Sequence, residues 1–309
     1  MAWHRSRPKG DGESCDRSAR RVRKMRGVGK AYGAISIVNA ISTGCGAALG
    51  INLQTEAHVE LTFDDSVVLE INGVRSEPQL AEAVVKVFAQ RLGLPVRGCK
   101  VATKSDIPVA VGLKSSSSAA VAIAKAFLNA VGKKLPDDEF LGLVAEASIM
   151  SGTSITGALD DAAACMLGGV VVTNNHERRI LKRGSVESGL TAVIIVPPGK
   201  TYTKEFRREL LEPVRELAFV AFNLAYEGHY WRAMTLNGLI HSAALGLPTQ
   251  PALQALRAGA LAAGLSGTGP AVAAVCRREN VEKVSKAFQA FEGRVIKCPV
   301  LHSPVEEET

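Results

Sequence analysis

The 309-residue sequence predicts a two-domain protein that mixes strands and helices, of α/β or α+β class. Three observations carry that prediction. Strand-like and helix-like stretches alternate in both halves of the chain. Apolar residues make up 47% and charged residues 22% of the sequence, a globular balance with enough material for a real core. The third is a shift in composition over residues 175–190, where Asn174-Asn175-His176-Glu177-Arg178-Arg179 and Lys182-Arg183-Gly184 interrupt the apolar runs. The expected division is a basic, disordered extension over 1–24, domains over 25–180 and 181–303, and an acidic tail over 304–309.

Each element follows from its pattern. Residues 27–54 are rich in Gly, Ala, Ser and Asn around the apolar run Ala34–Val38, which predicts strands and loops whose backbone approaches something closely. His58–Phe63 and Val67–Ile71 alternate, are β-branched and flank Asp64-Asp65, so they predict a hairpin. Leu80–Leu92 has helical period and stops at Gly93 and Pro95. Val96–Thr103 is the next strand. Ala120, Ala124, Phe127, Leu128 and Val131 set the period of a helix that begins at four consecutive serines. Another helix runs from a cap at Pro136-Asp137-Asp138 to about Met150. A polar turn over 151–162 carries Asp160 and Asp161. Gly168–Val172 and Thr191–Pro197 read as strands, and helices follow near 203–211, 213–226, 229–245 and 251–263. The chain closes as strand (Ala271–Cys276), helix (Val281–Phe291) and strand (Val295–Val300), with no internal repeat.

Several function classes drop out. The net charge of +7 is local: nine of the 37 Lys/Arg and three of the 30 acids lie within residues 1–26, so the remainder is nearly balanced, 28 against 27. A near-neutral body gives no reason to expect nucleic acid as a partner. The basic extension keeps one rival open, a nucleic-acid-binding module. No apolar run approaches the roughly 18 residues of a membrane span, and the basic segment lacks the apolar stretch of a secretory signal. A cytoplasmic protein without a membrane partner is expected. The six cysteines form no C-x-x-C pair and read as reduced, mostly buried thiols, and the six histidines show no ligand spacing.

Chemistry concentrates at Ile107–Val121. Pro108 lacks an N–H and Gly112 permits unusual backbone angles, so the helix starts at the serines, where unpaired N–H groups and the positive end of the helix dipole favour an anion. Lys114 adds a formal charge. A serine-capped helix without a ligand fits the same residues. The loop is not a Walker P-loop, and no G-x-G-x-x-G stands at a strand-to-helix junction. Gly264–Val272 is a second glycine loop, whose Ser266 and Thr268 offer donors to an anion or shape a tight turn. Asp160 or Asp161 is placed to orient or deprotonate a hydroxyl, or is a solvated turn residue. Glu146 is a Mg²⁺ ligand or a surface charge. Lys30, after two glycines, balances a carboxylate or phosphate, or is another surface lysine.

In this order these segments resemble the GHMP kinase superfamily. Pro108 through Ala119 is similar to its P-x-x-x-G-L-G-S-S-A loop, Gly264–Val272 to its C-terminal glycine loop and Val28-Gly-Lys-Ala-Tyr-Gly33 to its N-terminal motif. Within the superfamily the likeness is greatest to the archaeal-type shikimate kinases, through Gly112-Leu-Lys-Ser115, Ala34–Ile41 followed by Thr43-Gly44, and Thr156–Ala162. The resemblance implies an α+β fold, an N-terminal domain with a left-handed β-α-β unit and a ferredoxin-like C-terminal domain. It implies ATP and Mg²⁺, with ATP held by Pro108, Gly112, Leu113, Lys114, Ser115, Ser116, Ser117 and Ser118 and by Gly267, Thr268 and Gly269. Asp160 matches the family's carboxylate and Lys30 its lysine partner, with Asp161 as the competing carboxylate. Glu146 and a helix-start serine match the Mg²⁺ ligands, with Ser116, Ser117 and Ser118 competing for the serine's place. The implied activity is ATP-dependent phosphorylation of the shikimate 3-hydroxyl in aromatic amino-acid biosynthesis. The alternative within the superfamily is another small alcohol: homoserine, mevalonate or pantoate.

Overall fold

The computed structural model describes residues 25–62, 64–199 and 207–303. The extension expected over 1–24, the start of the helix expected at 203 and the acidic tail over 304–309 lie outside those residues.

Two long strands organise the first half. β1 (Arg26–Val38) and β2 (Cys45–Thr62) pair antiparallel along nearly their whole length. The opposite edge of β2 bonds two further strands end to end, β5 (Gly98–Ser105) and β6 (Val170–Asn174). With β3 (Val67–Ile71), β4 (Val74–Ser76) and β7 (Arg179–Gly184) these make a seven-stranded sheet, ordered β4-β3-β5-β2-β6-β7 with β1 on β2. β3 runs parallel to β5, and α1 (Gln79–Leu92) connects them as a β-α-β unit. α2 (Ser115–Val131), α3 (Asp137–Met150) and α4 (Leu159–Leu167) join α1 on one face, where Phe88, Phe127, Phe140, Ile123 and Leu141 form a core. Gly27 and Gly29 let β1 lie directly on α2, because a Cβ at either would collide with the carbonyl of Ala126 or Ala122.

The second sheet is antiparallel throughout: β11 (Arg294–Pro299), β8 (Thr191–Val196), β10 (Val272–Cys276) and β9 (Ala262–Leu265). β8, β9 and β10 are covered on both faces, so they read as continuous apolar runs. Ala192, Ile194, Ala273 and Val275 face α5 (Arg215–Glu227), α6 (Tyr230–Ala244) and the larger sheet. Val193, Ile195, Val272 and Ala274 face α7 (Gln250–Arg257) and α8 (Val281–Phe288). This alternation is the period of two that a strand imposes on its side chains. Among the described residues no helix is long and apolar enough to cross a membrane.

Three local expectations need correction. His58–Thr62 and Val67–Ile71 do not pair with each other, because β5 inserts between β2 and β3, and Phe63 lies outside the described residues. The hairpin instead joins β3 to β4 through Asn72-Gly73, both at positive φ, as a two-residue turn requires. Asp160 and Asp161 lie not in a turn but in the first turn of α4. The helix expected over 251–263 ends at Arg257, and Ala262–Leu265 is a strand, since Gly264 must lie flat against Gly238 of α6.

Candidate active site

The serine-rich segment is a helix start. Lys114 stands at the N-cap of α2 with φ +64°, and Ser115–Ser118 form the first turn. The Ser118 amide donates to the Lys114 carbonyl at 2.9 Å, while the helix itself leaves the Ser115–Ser117 amides unpaired. Gly112, at φ +91°, lets the preceding loop press against the second glycine loop, because a Cβ there would collide with the Ser266 carbonyl. Ser266 Oγ donates to the Gly112 carbonyl at 2.7 Å and accepts from the Ser36 amide at 3.1 Å. Ser36 Oγ accepts in turn from the Gly267 amide at 3.0 Å. β1, the serine loop and the glycine loop are thereby locked together.

They border an open cleft. Ser115, Ser116, Ser117, Lys114, Gly112, Gly267 and Thr268 line one side of it, and Asn39, Ala40 and Ile41 also contribute. Thr153, Ser154, Ile155 and Thr156 add a hydroxyl-rich wall before Asp160 and Asp161. A second, more apolar recess shares Ala110, Ser115, Ser116 and Thr153 with this cleft and continues to Leu69, Ile71, Leu80 and Val109.

The two carboxylates differ in setting. Asp161 is 16% exposed and pairs with Lys114 Nζ at 2.9 Å, the lysine side chain being 8% exposed. Asp160 is 3% exposed; its Oδ1 accepts from Asn175 Nδ2 at 2.9 Å, and its Oδ2 packs where any side chain at Gly46 would collide with it. Thr173 Oγ1 donates to Asn175 Oδ1 at 2.6 Å, which fixes the amide with its donor toward Asp160. Burial, reinforced by the Asp161 charge, pushes the Asp160 carboxyl up to about 7, against the opposing pull of Lys114 and Asn175. Burial also disfavours the charged form of Lys114, yet Asp161 and Asp160 outweigh it and hold its pKa above the ordinary lysine value.

Not every expected residue arrives here. Lys30 does not: it sits on the outer face of β1, 64% exposed, and pairs with Glu56 at 3.0 Å. The reason is strand alternation, since Gly29 faces α2 and its neighbour must face away. The lysine beside the aspartates is Lys114. Glu146 is exposed on α3 and does not line the cleft. Leu113 is fully buried in the core beneath the loop, Pro108 lies outside the cleft lining, and Gly269 packs against Leu265 and Leu247 rather than the cleft. Ser117 lines the cleft, while Ser118 Oγ is buried behind it without a hydrogen-bond partner. Among the described residues no group of three or more His, Cys, Asp or Glu could cage a metal. Donors of this kind fit a Mg²⁺ that takes most of its ligands from phosphates and water. Asn39, Asn175 and the Thr153–Thr156 hydroxyls were not singled out by sequence; only the polar turn and the Asn174-Asn175 pair hinted at them.

Comparisons with known proteins agree with this layout. The family model described as GHMP kinases N terminal domain matches residues 79–169, and that described as GHMP kinases C terminal matches 232–293. The chain is 40% identical over 278 residues to a protein of Methanothrix thermoacetophila named shikimate kinase, covering 89% of this chain and 94% of that one. It is 38% identical over 268 residues to the Pyrococcus furiosus protein of the same name, covering 85% and 97%. The fold resembles that of Leishmania major mevalonate kinase, with a TM-score of 0.69 at 15% identity over 91% and 98% of the two chains. It also resembles Cytophaga hutchinsonii homoserine kinase, with a TM-score of 0.68 at 19% identity over 90% and 96%.

Proposed function

The chain belongs to the GHMP kinases, and from that premise we propose that it transfers the γ-phosphoryl group of ATP to the 3-hydroxyl of shikimate, giving shikimate 3-phosphate and ADP. The observation that carries the chemistry is the Lys114–Asp161 pair, set between a helix start and a hydroxyl-lined cleft. The archaeal relatives named shikimate kinase carry the choice of acceptor.

The nucleoside occupies the apolar recess of Leu69, Ile71, Leu80 and Val109, which opens onto the serines. The phosphates lie on the amides of Ser115–Ser117, where the α2 dipole favours negative charge. Ser117 would offer its hydroxyl to a Mg²⁺, which would supply charge neutralisation at the phosphates. The acceptor lies against Thr153, Ser154, Thr156 and Thr268, whose hydroxyls suit a polyol. Asp161, the more exposed carboxylate and the one with a lysine partner, orients the attacking hydroxyl and takes its proton. The hydroxyl oxygen bonds to the γ-phosphorus as the bridge to ADP breaks. Asp160, held from behind by Asn175 and pushed up to about 7 by burial and the Asp161 charge, adds a second negative charge beside it when ionised. Lys114 balances the pair and the charge spread over the transferring group. This reading gives Lys114 the part that sequence resemblance assigned to Lys30, and gives Asp161 precedence over Asp160.

Coupled ADP release by the full chain, with shikimate, homoserine, mevalonate and pantoate as acceptors, tests the proposal. Turnover restricted to shikimate is expected; turnover of another acceptor with none on shikimate overturns it.

A further inference from the structure

A chain of buried polar groups outside the cleft holds the turn that forms one of its sides. The turn Asn39–Gly44 joins β1 to β2 and gives Asn39, Ala40 and Ile41 to the cleft, but none of them lines the apolar recess. It folds on itself: Asn39 Oδ1 accepts from the Ile41 amide at 3.0 Å, and the Gly44 amide donates to the Ala40 carbonyl at 2.7 Å. Two of its polar groups reach α6. The Asn39 amide donates to Asn237 Oδ1 at 3.0 Å, and Ser42 Oγ meets His241 Nε2 at 2.8 Å. Asn39 Nδ2 also donates to the Gly267 carbonyl at 2.9 Å, tying the turn to the glycine loop.

The direction of these bonds can be worked out. His241 Nδ1 lies 2.9 Å from the Asn237 carbonyl, which only accepts, so Nδ1 carries the proton. Burial pulls the His241 pKa below the ordinary histidine value, so the ring is neutral and Nε2 is an acceptor. Ser42 therefore donates to His241. Ser42, Asn39, Asn237 and His241 are all 5% exposed or less, so loss of one partner leaves a buried group unsatisfied. Asn237 and His241 are one helical turn apart on the same face of α6. Between them Gly238 lets α6 lie on β9, where a Cβ would collide with Gly264. α6 is thus a fixed platform on the smaller sheet, and its two side chains reach across to a turn of the larger one.

We propose that Asn237 and His241 are positioning residues for the acceptor: from α6 they hold the Asn39–Ser42 turn in the shape that binds it. The inference rests on the proposed placement of the acceptor in the cleft, whose lining includes Asn39, Ala40 and Ile41 beside Thr153, Ser154, Thr156 and Thr268. The mechanism gives neither residue contact with the reacting atoms.

The test uses the full chain with Ser42→Ala, His241→Leu and the double variant, together with Asn237→Ala. Michaelis constants for shikimate and ATP, melting temperatures and hydrogen exchange of the 39–44 amides are measured on each. Ser42→Ala removes one hydroxyl and leaves the ring in place, so it stays informative if a His241 variant misfolds. The expected result is a rise of about tenfold in the acceptor KM, the scale of one buried hydrogen bond, with the ATP KM within about twofold. The Ser42 and His241 changes remove the same bond, so the double variant should be no worse than the poorer single one. Exchange over 39–44 should quicken by a similar factor. Equal rises in both KM values, additive effects, or a lower melting temperature with both constants unchanged would each overturn the inference. If the wild type does not turn over shikimate, the proposed acceptor falls. Exchange over 39–44 and ATP affinity then decide this inference: slow exchange retained in Ser42→Ala, or weakened ATP binding, sinks it.

Discussion

Lys30 and Lys114 look alike in the sequence. Each follows a glycine within two residues, and each stands beside a segment where backbone must come close to something. The fold sends one to solvent and the other into the cleft. Lys30 lies inside a regular strand, where its neighbours decide its direction: Gly29 must face α2, so Lys30 faces Glu56 across β2. Lys114 lies at a helix start with φ +64°, a conformation that costs an ordinary L-residue about 1–2 kcal/mol, and its side chain is buried beside Asp161. A strained backbone kept under a buried charge is the pattern of a functional position. A motif lysine is therefore read safely only together with the element that aims it.

The sharpest way to break that comparison is to remove the carboxylate that Lys114 serves. Asp161→Asn should lower kcat by about 10²–10⁴-fold, the loss expected of an acid–base group, in steady-state ADP release, with the melting temperature little changed. Asp160→Asn should cost less. A larger loss for Asp160 would reverse the roles given to the pair.

The reason Lys30 points outward can be tested by stability. Gly29→Ala puts a methyl against the α2 backbone and should destabilise the protein by about 1–3 kcal/mol, the range for overpacking, in urea unfolding. An unchanged midpoint would mean that β1 can shift, and that Lys30 can turn.

The buried side of the pair predicts pH behaviour. Asp160 titrates at about 7, raised first by burial and then by Asp161, so kcat/KM should fall as pH drops through that region. The Asn175 hydrogen bond favours the ionised form, so Asn175→Ala should move this acidic limb to higher pH, a several-fold loss at pH 6.5 and little at pH 8.5. A uniform loss at both pH values would assign Asn175 a purely structural part. The stability effect has the opposite sign to the usual aspartate. The folded state favours neutral Asp160, so its contribution is full below the unfolded value of 3.8 and is lost as pH rises through about 7. The melting temperature of wild type relative to Asp160→Asn should accordingly decline from pH 5 to pH 8. A flat difference would show that Asp160 titrates elsewhere.

Helices with strong caps and periods were legible: α1 ends at Gly93 in the left-handed conformation, and α3 starts at Asp137, both as the residues indicate. The serine segment was legible as a helix start, and so was the pairing of two glycine loops around one site. Strand partnership was not. β3 and β2 are adjacent in sequence, but the strand between them, β5, arrives 27 residues after β3 ends, and nothing local encodes that order. The polar support of the site was equally hidden. Asn175 lies in a charged stretch that resembles a linker, and His241 and Asn237 sit in an ordinary helical run. Their roles come from contacts across more than 190 residues for the α6 pair, which no spacing rule reaches.

The most direct test of the account is shikimate-dependent ADP release by Lys114→Met beside Lys30→Met. Lys30 holds only an exposed ion pair, of about 0–1 kcal/mol, so its variant should keep wild-type kcat within about twofold. Lys114→Met should lose about 10²–10³-fold, the scale of a missing electrostatic contact to the transition state. Loss of activity in Lys30→Met with activity retained in Lys114→Met would contradict the account at its centre.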